Sequence, residues 1–421
     1  MIKPRCTTLA ALLFLIFGPA LTAPALRQEA LPAVFHAARL EAAAQDKQMQ
    51  WIEISKDGQG FVFSASHRPF TPWGFNYDHD ASDQHRLLED YWDTEWSKVE
   101  QAFHDMKQLG ANVVRIHLQI GKFMKDPASV NISSMNRLDK LVSLAETEGL
   151  YLDITGLGCY KKSDTPLWYD RLPERERWAV QARFWNAIAT KVGKSPAVFC
   201  YNLMNEPVVP AKVEIADNVG EAGHVGEASW HPKAWVDNRC YVEDLTQDLQ
   251  ARSRLQIAQA WLKEMSTAIR SHDRKHLITV GTFVVFDQTR LLPIGATPAQ
   301  LKGDVDFFSL HYYPTDAQPA GADGSEKSVQ ILKQLSVGKP IVIEETAPLN
   351  CSVASLERFI TASKPYVAGW MFFYWGKPLK ECQKSKMPQD VLQCGCLKLF
   401  RRLAGSHNWT DPQHAINKVE F

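Results

Sequence analysis

The sequence has 421 residues, 45% of them hydrophobic, and its 47 basic residues are balanced by 47 acidic ones. A chain of this length can build a large barrel or two modest domains, and its zero formal net charge gives no electrostatic argument for a nucleic-acid partner or an anionic membrane. Its 13 Trp residues exceed the needs of one core, and they suit flat, amphipathic ligands such as sugars.

The N-terminus has the features of a secretory signal peptide. A basic start, Met1 to Arg5, precedes an apolar stretch from Leu9 to Leu21 and small residues at Ala23 and Ala25. The apolar stretch is short for a membrane span, and no later segment is long and apolar enough to cross a bilayer. We therefore predict that residues 1–25 are a signal peptide and that the mature chain is secreted or periplasmic, with an uncleaved anchor as the alternative.

Cysteine usage fits an exported chain, in which disulfides are stable. Eight cysteines occur, and Cys6 falls within the predicted signal peptide. Cys159 and Cys240 are one candidate pair, and Cys200, inside an apolar stretch, is expected to be a buried free thiol. The late cysteines could form two bridges: Cys351, Cys382, Cys394 and Cys396. No His with ligand-like spacing accompanies them, so a zinc site there is disfavoured.

Residues 26–421 alternate short apolar strands with segments whose apolar residues recur at helical spacing. Gly110 and Gly149 each end a helical segment directly before a strand. In chain order, the predicted elements are helix Ala30–Gln48, strand Trp73–Asn76, helix Trp96–Leu109, strand Asn112–His117, helix Leu138–Ala145, strand Leu150–Ile154, helix Trp178–Val192, strand Ala197–Met204, helix Leu255–Met265, strand His276–Val280, strand Val305–Leu310, helix Val329–Leu335, strand Pro340–Ile343, helix Leu356–Ile360, strand Val367–Phe373 and helix Val391–Leu403.

The eight predicted strands indicate one closed barrel of the α/β class. Short, continuous apolar strands that alternate with helices are typical of a parallel sheet covered on both faces. Eight such units over about 300 residues fit a (β/α)8 TIM barrel better than two open sheets. Val208 to about Gln250 is then a long insertion after the fourth strand. No linker or solenoid repeat interrupts the pattern, so we predict a single domain over residues 26–421.

Polar and aromatic residues follow the predicted strands at the points where the strands end. In a (β/α)8 barrel the carboxyl ends of all strands converge on one cleft, where active sites are built. These residues are therefore predicted to lie close together. They are Asn76, Arg115, His117, Asn205, Glu206, His311, Tyr313, Glu344, Glu345 and Trp375.

Two carboxylates on different strands are what glycosidic cleavage requires. One carboxyl donates a proton to the leaving oxygen, and the other is ionised so that it can attack or activate water. Glu206 is the candidate donor, and the strand-seven partner is Glu344 or Glu345. Arg115 would hold that partner ionised. Asn205 could hydrogen-bond a sugar hydroxyl, and Trp375 could offer a flat face for the sugar ring.

The pattern of motifs resembles the cellulase family, glycoside hydrolase family 5. The resemblance is carried by Leu203-Met204-Asn205-Glu206-Pro207 at a strand end, by Arg115 after an apolar strand, by Ser309 to Pro314, and by Pro340 to Glu345 before the final Trp-containing strand. A lone Asn-Glu-Pro is a weak signal, whereas four motifs in order, each at a strand end, are specific. The likeness covers roughly Phe61 to Gly376.

This resemblance implies a retaining glycoside hydrolase that cleaves a β-linked glucan or mannan by double displacement. It implies that Glu206 is the acid/base and Glu345 the nucleophile, without a metal or other cofactor. The sugar at the point of cleavage would be surrounded by Arg115, Asn205, His311, Tyr313 and Trp375. The sequence departs from the family at Thr346–Pro348, where an aromatic-Gly pair is common, and at Thr155–Gly156, where many members carry a His.

Two other classes remain as alternatives. A metal-dependent TIM-barrel hydrolase is suggested by the His- and Asp-rich stretch Asp78–His85, although this stretch lies past the first strand in a polar loop. A glycan-binding barrel without catalysis would lack the paired carboxylates that are present here. We expect a monomer with a carbohydrate as its only partner, and the insertion Val208–Gln250 could favour short oligosaccharides or glycoconjugates by walling off the cleft.

Overall fold

The computed structural model describes residues 49–82, 86–158, 164–209, 243–246, 249–284, 292–316 and 324–406. Several sequence-based predictions fall outside these residues. They are the signal peptide at 1–25, the lead-in helix Ala30–Gln48, the thiols of Cys159 and Cys240, and most of the insertion Val208–Gln250.

The strands form two sheets. A small antiparallel sheet has the order β1-β2-β3, and a larger parallel sheet has the order β8-β7-β6-β5-β4-β12-β11-β10-β9. The strands are β1 Ile52–Ile54, β2 Phe61–Phe63, β3 Pro69–Phe70, β4 Trp73–Tyr77, β5 Val113–Gln119, β6 Tyr151–Gly158, β7 Val198–Asn202, β8 Leu277–Thr279, β9 Gly281–Phe283, β10 Phe308–His311, β11 Ile341–Thr346 and β12 Gly369–Phe372.

The parallel sheet closes on itself. Its two terminal strands, β8 and β9, are separated along the chain by Val280 alone and act as one stave of the barrel. β8 pairs with β7 on one side, and β9 pairs with β10 on the other. With β8 and β9 counted together, the nine strands become eight staves. The structure therefore confirms the predicted (β/α)8 TIM barrel.

Helices between the strands cover the outside of the barrel with their apolar faces. In α2, for example, Val99, Ala102, Phe103 and Met106 are buried on one side. The helices are α1 Leu88–Tyr91, α2 Trp96–Gln108, α3 Ile120–Phe123, α4 Ile132–Glu148, α5 Leu167–Asp170, α6 Glu174–Val192, α7 Arg254–Arg270, α8 Pro298–Leu301, α9 Gly324–Leu335, α10 Val353–Ser363, α11 Leu379–Cys382 and α12 Pro388–Ser406. Within the described ranges, no helix has the length and apolar character of a membrane span.

Helix ends follow the signals that the sequence carries. Gly149 ends α4 with φ of 63°, a left-handed conformation that is costly for other residues, as the sequence predicted. Ser253 begins α7 with a capping box, in which its side chain accepts from the Gln256 backbone N–H and the Gln256 side chain accepts from the Ser253 backbone. Local capping thus fixes where these helices meet the strands.

The antiparallel sheet closes the amino-terminal end of the barrel. Ile52, Phe61 and Phe70 are buried in one apolar cluster with the first inward residues of the barrel strands. The Phe61 ring makes edge contacts with Phe199 and Phe307, each at 5.2 Å between ring centroids. This end of the barrel is therefore packed and apolar, and the polar residues collect at the opposite end. The sequence analysis did not predict β1 to β3.

The cysteine predictions have different outcomes. Cys200 is a buried free thiol, as expected for its place inside an apolar strand. The four late cysteines, Cys351, Cys382, Cys394 and Cys396, are also free thiols in the structure, so their predicted pairing stays a prediction.

A buried carboxyl group lies between α1 and the end of β5. Glu89 is 6% exposed, and its Oε1 accepts a hydrogen bond from the backbone N–H of Gln119 at 2.6 Å. Its other oxygen has no hydrogen-bond partner within the described part of the chain. Burial raises the pKa of Glu89 from its ordinary value of 4.5 to about 8, against the smaller effect of the Gln119 N–H. The folded state thus prefers the neutral acid.

We expect Glu89→Gln to gain stability relative to the wild type as the pH rises. Because the folded pKa lies above the unfolded one, the stabilisation from the neutral acid is complete below pH 4.5 and is lost as the pH approaches 8. Glutamine keeps the acceptor for Gln119 and cannot ionise, and each unit of pKa shift corresponds to about 1.4 kcal/mol. Thermal unfolding at about pH 5 and about pH 9 should show a Tm difference that widens with pH. A difference that is independent of pH, or equal to that of the exposed control Glu53→Gln, would contradict this account.

Candidate active site

Arg115 lies at the centre of the candidate site, inside the barrel. It stands on β5 between Val114 and Ile116, whose side chains face the outer core. Alternation along a strand therefore turns Arg115 to the interior, where it is fully buried. A buried guanidinium needs charged and hydrogen-bonded partners, because leaving it unpaired is costly.

The partners of Arg115 come from four other segments of the barrel. Its Nη1 donates to Glu345 Oε1 at 2.5 Å and to Asn76 Oδ1 at 2.7 Å. Its Nη2 donates to Asn205 Oδ1 at 2.9 Å, and its Nε donates to Thr155 Oγ1 at 2.8 Å. A strand-seven carboxylate was predicted to pair with Arg115, and in the structure Glu345 accepts its shortest hydrogen bond.

A β-bulge brings two consecutive glutamates into the interior. Between β10 and β11 the register runs from Leu310 opposite Ile343 to His311 opposite Glu345, so one residue of β11 is extra. The same strand also shifts against β12. In a regular strand, neighbouring side chains point to opposite faces. The bulge lets both Glu344 and Glu345 face inward, and such bulges are common beside active sites.

Glu345 is held at both carboxylate oxygens. Arg115 donates to Oε1, and the hydroxyl of Tyr313 donates to Oε2 at 2.6 Å. Burial, together with the negative charge of Glu345, raises the pKa of Tyr313 well above its ordinary value, so the phenol remains a donor. Two donors fix the carboxylate in one orientation.

Glu206 is the more accessible carboxyl of the site. It follows β7, its φ is 50°, and its side chain is 25% exposed. The left-handed backbone is uncommon for a residue with a side chain and is a feature of functional sites. A hydrogen bond from its N–H to the carbonyl of Gly281, at 3.1 Å, holds this turn against the next stave. Glu206 therefore projects toward solvent above the buried group.

His311 connects the two halves of the site. Its Nδ1 lies 2.6 Å from Glu206 Oε1, and its Nε2 lies 3.1 Å from Glu344 Oε2. Burial lowers the pKa of His311, but the charge of Glu345 and the hydrogen bonds to Glu206 and Glu344 outweigh it and raise the value to about 9. The ring is therefore protonated at neutral pH and donates from both nitrogens.

One group of side chains in the described ranges has the spacing of a metal site. One ligand atom each from Glu206, His311 and Glu345 lie within 4.8 Å of one another. A cation there would share Glu345 Oε1 with the guanidinium of Arg115. Since His311 is also protonated at neutral pH, the set suits a proton-handling site better than a metal site.

Trp375 does not belong to this group, contrary to the sequence-based prediction. It is 3% exposed, and its ring packs edge-on against Phe75 in the outer core. The ring lines a cavity of about 510 Å³ between α2 and α11, outside the barrel. The residue follows the last strand beside a glycine, as a mouth residue would, but the chain has already turned outward. Trp375 is therefore a core residue.

Two neighbouring aromatic residues occupy the face that Trp375 was expected to supply. Phe373 and Tyr374, joined by a cis peptide bond, are both partly exposed. The Phe373 ring makes an edge contact with Tyr313, and the Tyr374 ring lies on His79 with centroids 3.8 Å apart. The Phe373 ring thus lies next to the tyrosine that donates to Glu345, where a sugar face can stack.

The sequence matches the family model for cellulase, glycosyl hydrolase family 5, over residues 73–378. This match covers more than half of the chain, and it includes every strand of the barrel. The chain belongs to glycosyl hydrolase family 5. It is therefore a glycoside hydrolase that acts on β-linked glycans. The comparison with curated protein sequences returned no match.

Solved structures with the same fold include three mannose-related glycosidases. An exo-β-1,4-mannosidase from Opitutaceae bacterium strain TAV5 has a TM-score of 0.60 and 16% identity, and the match covers 85% of this chain and 63% of that one. A GH5_18 enzyme from Bifidobacterium longum subsp. longum in complex with Manβ1-4GlcNAc has a TM-score of 0.56 and 12% identity, covering 80% and 79%. The blue mussel (Mytilus edulis) β-mannanase has a TM-score of 0.55 and 13% identity, covering 86% and 98%. This chain spans less than two thirds of the first of these, and all three show the shared fold.

Some residues of this family 5 site were not singled out from the sequence. Asp153 lies inside β6, and Asn202 is the last residue of β7 but was inside the longer predicted strand Ala197–Met204; both are fully buried near Glu344. Their polar side chains within apolar stretches are a signal that could have marked them, because buried polar groups need a partner. His79 and Tyr374 are far apart in the sequence and come into contact only in the folded chain, so no motif could have predicted their contact.

We expect Tyr313→Phe to lower kcat for an aryl β-glycoside by about tenfold to a hundredfold, because a hydrogen bond to a charged group is lost. The matched control is Tyr312→Phe. Tyr312 points to the other side, where its hydroxyl donates to Ser328 and its ring stacks on Phe359. The control should lower Tm and leave kcat nearly unchanged. Equal effects of the two substitutions on kcat would contradict the assignment.

Proposed function

We propose that this family 5 enzyme hydrolyses β-mannosidic bonds by a retaining double displacement, with Glu206 as acid/base and Glu345 as nucleophile. The observation that carries the proposal is the pairing of two unlike carboxyls. Glu345 is held by Arg115 and Tyr313, and an oxygen of Glu206 lies within 4.8 Å of one of its oxygens. Retaining glycosidases hold their carboxyls about 5 Å apart, whereas inverting ones leave room for a water.

In the first step, Glu345 attacks the anomeric carbon of the bound sugar. The bond between that carbon and the glycosidic oxygen breaks, and Glu206 transfers its proton to the departing oxygen. Arg115 and Tyr313 hold Glu345 in one orientation, so the attacking oxygen needs little reorganisation. His311 lies 2.6 Å from Glu206 and is hydrogen-bonded to it. This contact orients the Glu206 carboxyl until its proton is transferred.

In the second step, water hydrolyses the glycosyl–enzyme ester. Glu206, now ionised, removes a proton from the water, whose oxygen attacks the anomeric carbon and releases Glu345. Asn205 accepts from Arg115 through Oδ1, which leaves its Nδ2 group to donate to the sugar hydroxyl beside the reacting carbon. A bond of this kind strengthens as charge develops on the ring. The enzyme is then restored with Glu206 protonated.

Two observations support a mannoside as the substrate. The three solved structures reported above are a β-mannosidase, a β-mannanase and an enzyme bound to Manβ1-4GlcNAc. In addition, the Glu344–Glu345 pair at the end of β11 resembles the paired glutamates of mannan-degrading members of the family. We also keep the proposal that residues 1–25 direct export of the chain.

We expect Glu206→Gln and Glu345→Gln each to lower kcat by several orders of magnitude, because each removes a group that acts in bond breaking. Both variants should fold as the wild type does by circular dichroism. Glu381→Gln, an exposed glutamate on α11, is the matched control and should retain full activity. Near-normal turnover in either active-site variant would refute its assigned role. The anomer that appears first in NMR of the wild-type reaction should keep the substrate's configuration, and the inverted anomer would refute the double displacement.

A substrate panel tests the mannoside proposal. We expect kcat/KM for an aryl β-mannoside to exceed that for the matching aryl β-glucoside by about tenfold or more, since the two differ in the orientation of one hydroxyl. β-1,4-mannan, β-1,4-glucan and Manβ1-4GlcNAc complete the panel, and product sizes distinguish internal cleavage from release of single sugars. Preference for the glucoside would refute the mannoside assignment while leaving the double displacement intact.

A further inference from the structure

Two more carboxyl groups are buried beneath the cleft. Asp153 on β6 and Glu344 on β11 stand on opposite sides of the barrel ring, and neither side chain is exposed. The two carboxyl groups are neighbours in the interior, and Asp153 Oδ2 has no hydrogen-bond donor among the described residues. Two ionised carboxylates placed together without such a donor would repel each other, so one of the two is protonated. The pair therefore carries one proton.

The surroundings of Glu344 favour the charge on that residue. Its Oε1 accepts from Asn202 Nδ2 at 2.8 Å, and its Oε2 lies 3.1 Å from His311 Nε2. The Nη2 group of Arg115 lies 3.4 Å from the same oxygen. Burial alone would raise the pKa of Glu344, but the charge of Arg115 and the hydrogen bond from His311 bring it below its ordinary value.

The surroundings of Asp153 favour the neutral acid. Among the described residues, its polar contacts besides Glu344 are the hydroxyl of Thr155, at 3.5 Å from Oδ1, and the thiol of Cys200. The charge of Arg115 also acts on Asp153 and lowers its pKa, but by less than burial and the charge of Glu344 raise it. Burial, followed by the negative charge of Glu344, raises the pKa of Asp153 well above its ordinary value. Asp153 is thus the protonated member of the pair.

The main chain of the fifth stave allows this close approach. A Cβ atom on Gly281 would lie 2.9 Å from both Glu344 Oε2 and His311 Nε2, and 3.2 Å from Arg115 Nη2. Glycine therefore leaves the space in which the imidazole, the carboxylate and the guanidinium meet. The contact between Glu344 and His311 therefore depends on a glycine at position 281.

We propose that Glu344 is a positioning residue for the acid–base step. Glu344 is the anionic half of its pair with Asp153, and it accepts a hydrogen bond from His311. This contact keeps a proton on both ring nitrogens of His311. The protonated ring in turn sets the pH range in which Glu206 holds its catalytic proton. The role assigned to Glu206 rests on the proposed function. The placement of the proton on Asp153 does not.

The expected effect follows from charge alone. Glu206 holds its catalytic proton beside the protonated ring of His311, and losing a proton from either residue makes this pair more negative. The anion of Glu344 opposes that loss, so its removal should shift the alkaline limb of the activity profile to lower pH. Other titratable groups also face His311, Glu206 and the buried carboxyls. They are Arg115 and His117 on β5, Cys200 on β7, Tyr313 after β10 and Glu345 on β11.

Three of these surrounding groups stay neutral over the working range. Burial, with the charges of Arg115 and His311, lowers the pKa of His117 well below its ordinary value. Burial raises the pKa of Cys200 and of Tyr313 well above theirs. Arg115 remains charged throughout.

The test compares two isosteric substitutions, Glu344→Gln and Asp153→Asn, by the pH dependence of kcat/KM for an aryl β-mannoside. Glu344→Gln removes a charge and should move the alkaline limb down by about one pH unit or more. Asp153→Asn replaces a neutral acid with a neutral amide and should leave the limb in place, whatever its effect on kcat. A shift caused by Asp153→Asn alone, equal shifts in both, or no shift in either would overturn the proposal.

A measurement without turnover separates this inference from the proposed function. The ring nitrogens of His311, assigned by difference from His311→Gln, are followed by ¹⁵N NMR as the pH rises. We expect a doubly protonated ring up to pH about 9 in the wild type and in Asp153→Asn, and a lower titration in Glu344→Gln. If no mannoside is cleaved, this titration still shows whether Glu344 holds the ring of His311 protonated. If Glu344→Gln does not fold, a lowered titration in Asp153→Asn, or a wild-type ring that is neutral at neutral pH, overturns the proposal.

Discussion

The buried guanidinium of Arg115 is the constraint on which the site depends. A fixed cation inside the barrel has to be neutralised and fully hydrogen-bonded, and its donors reach acceptors on β4, β6, the β7 loop and β11. Each of these acceptors must therefore sit at one height in the barrel. The shear of a closed eight-stave barrel supplies that alignment, because inward residues of its strands stack in layers.

Two local departures from regular structure complete the arrangement. The bulge in β11 turns Glu345 to the interior beside Glu344, and the left-handed turn at Glu206 raises that side chain above the buried layer. Each departure costs conformational energy that a regular strand or loop would not. They give the two carboxyls unlike surroundings. One is clamped by Arg115 and Tyr313, and the other is hydrogen-bonded to His311 and reaches solvent.

The barrel and most of the site could be predicted from the sequence, because both depend on where strands end. Apolar strands are read directly, and their terminal residues must meet at one face. What the sequence could not show depends on local backbone geometry. After β12 the backbone directs the ring of Trp375 into the outer core, whereas Phe373 and Tyr374 just before it are partly exposed. The bulge that turns both glutamates of β11 inward likewise cannot be recognised from the pattern of apolar and polar residues in the sequence. The choice of Glu345 over Glu344 therefore relied on the family resemblance.

The interior of this barrel is divided by chemistry along its axis. At the amino-terminal end, Phe61, Phe70 and the first strand residues fill the space with apolar side chains. One or two residues further along the strands, the interior carries Arg115, Asp153 and Glu344 with no exposure to solvent. Replacing buried ion pairs by apolar residues of similar volume is often neutral or stabilising in proteins. Stability therefore does not account for these ions. Their connection to Glu345 and, through His311, to Glu206 does, because charge that is fixed beneath the cleft gives the proposed acid/base and the proposed nucleophile different electrostatic surroundings.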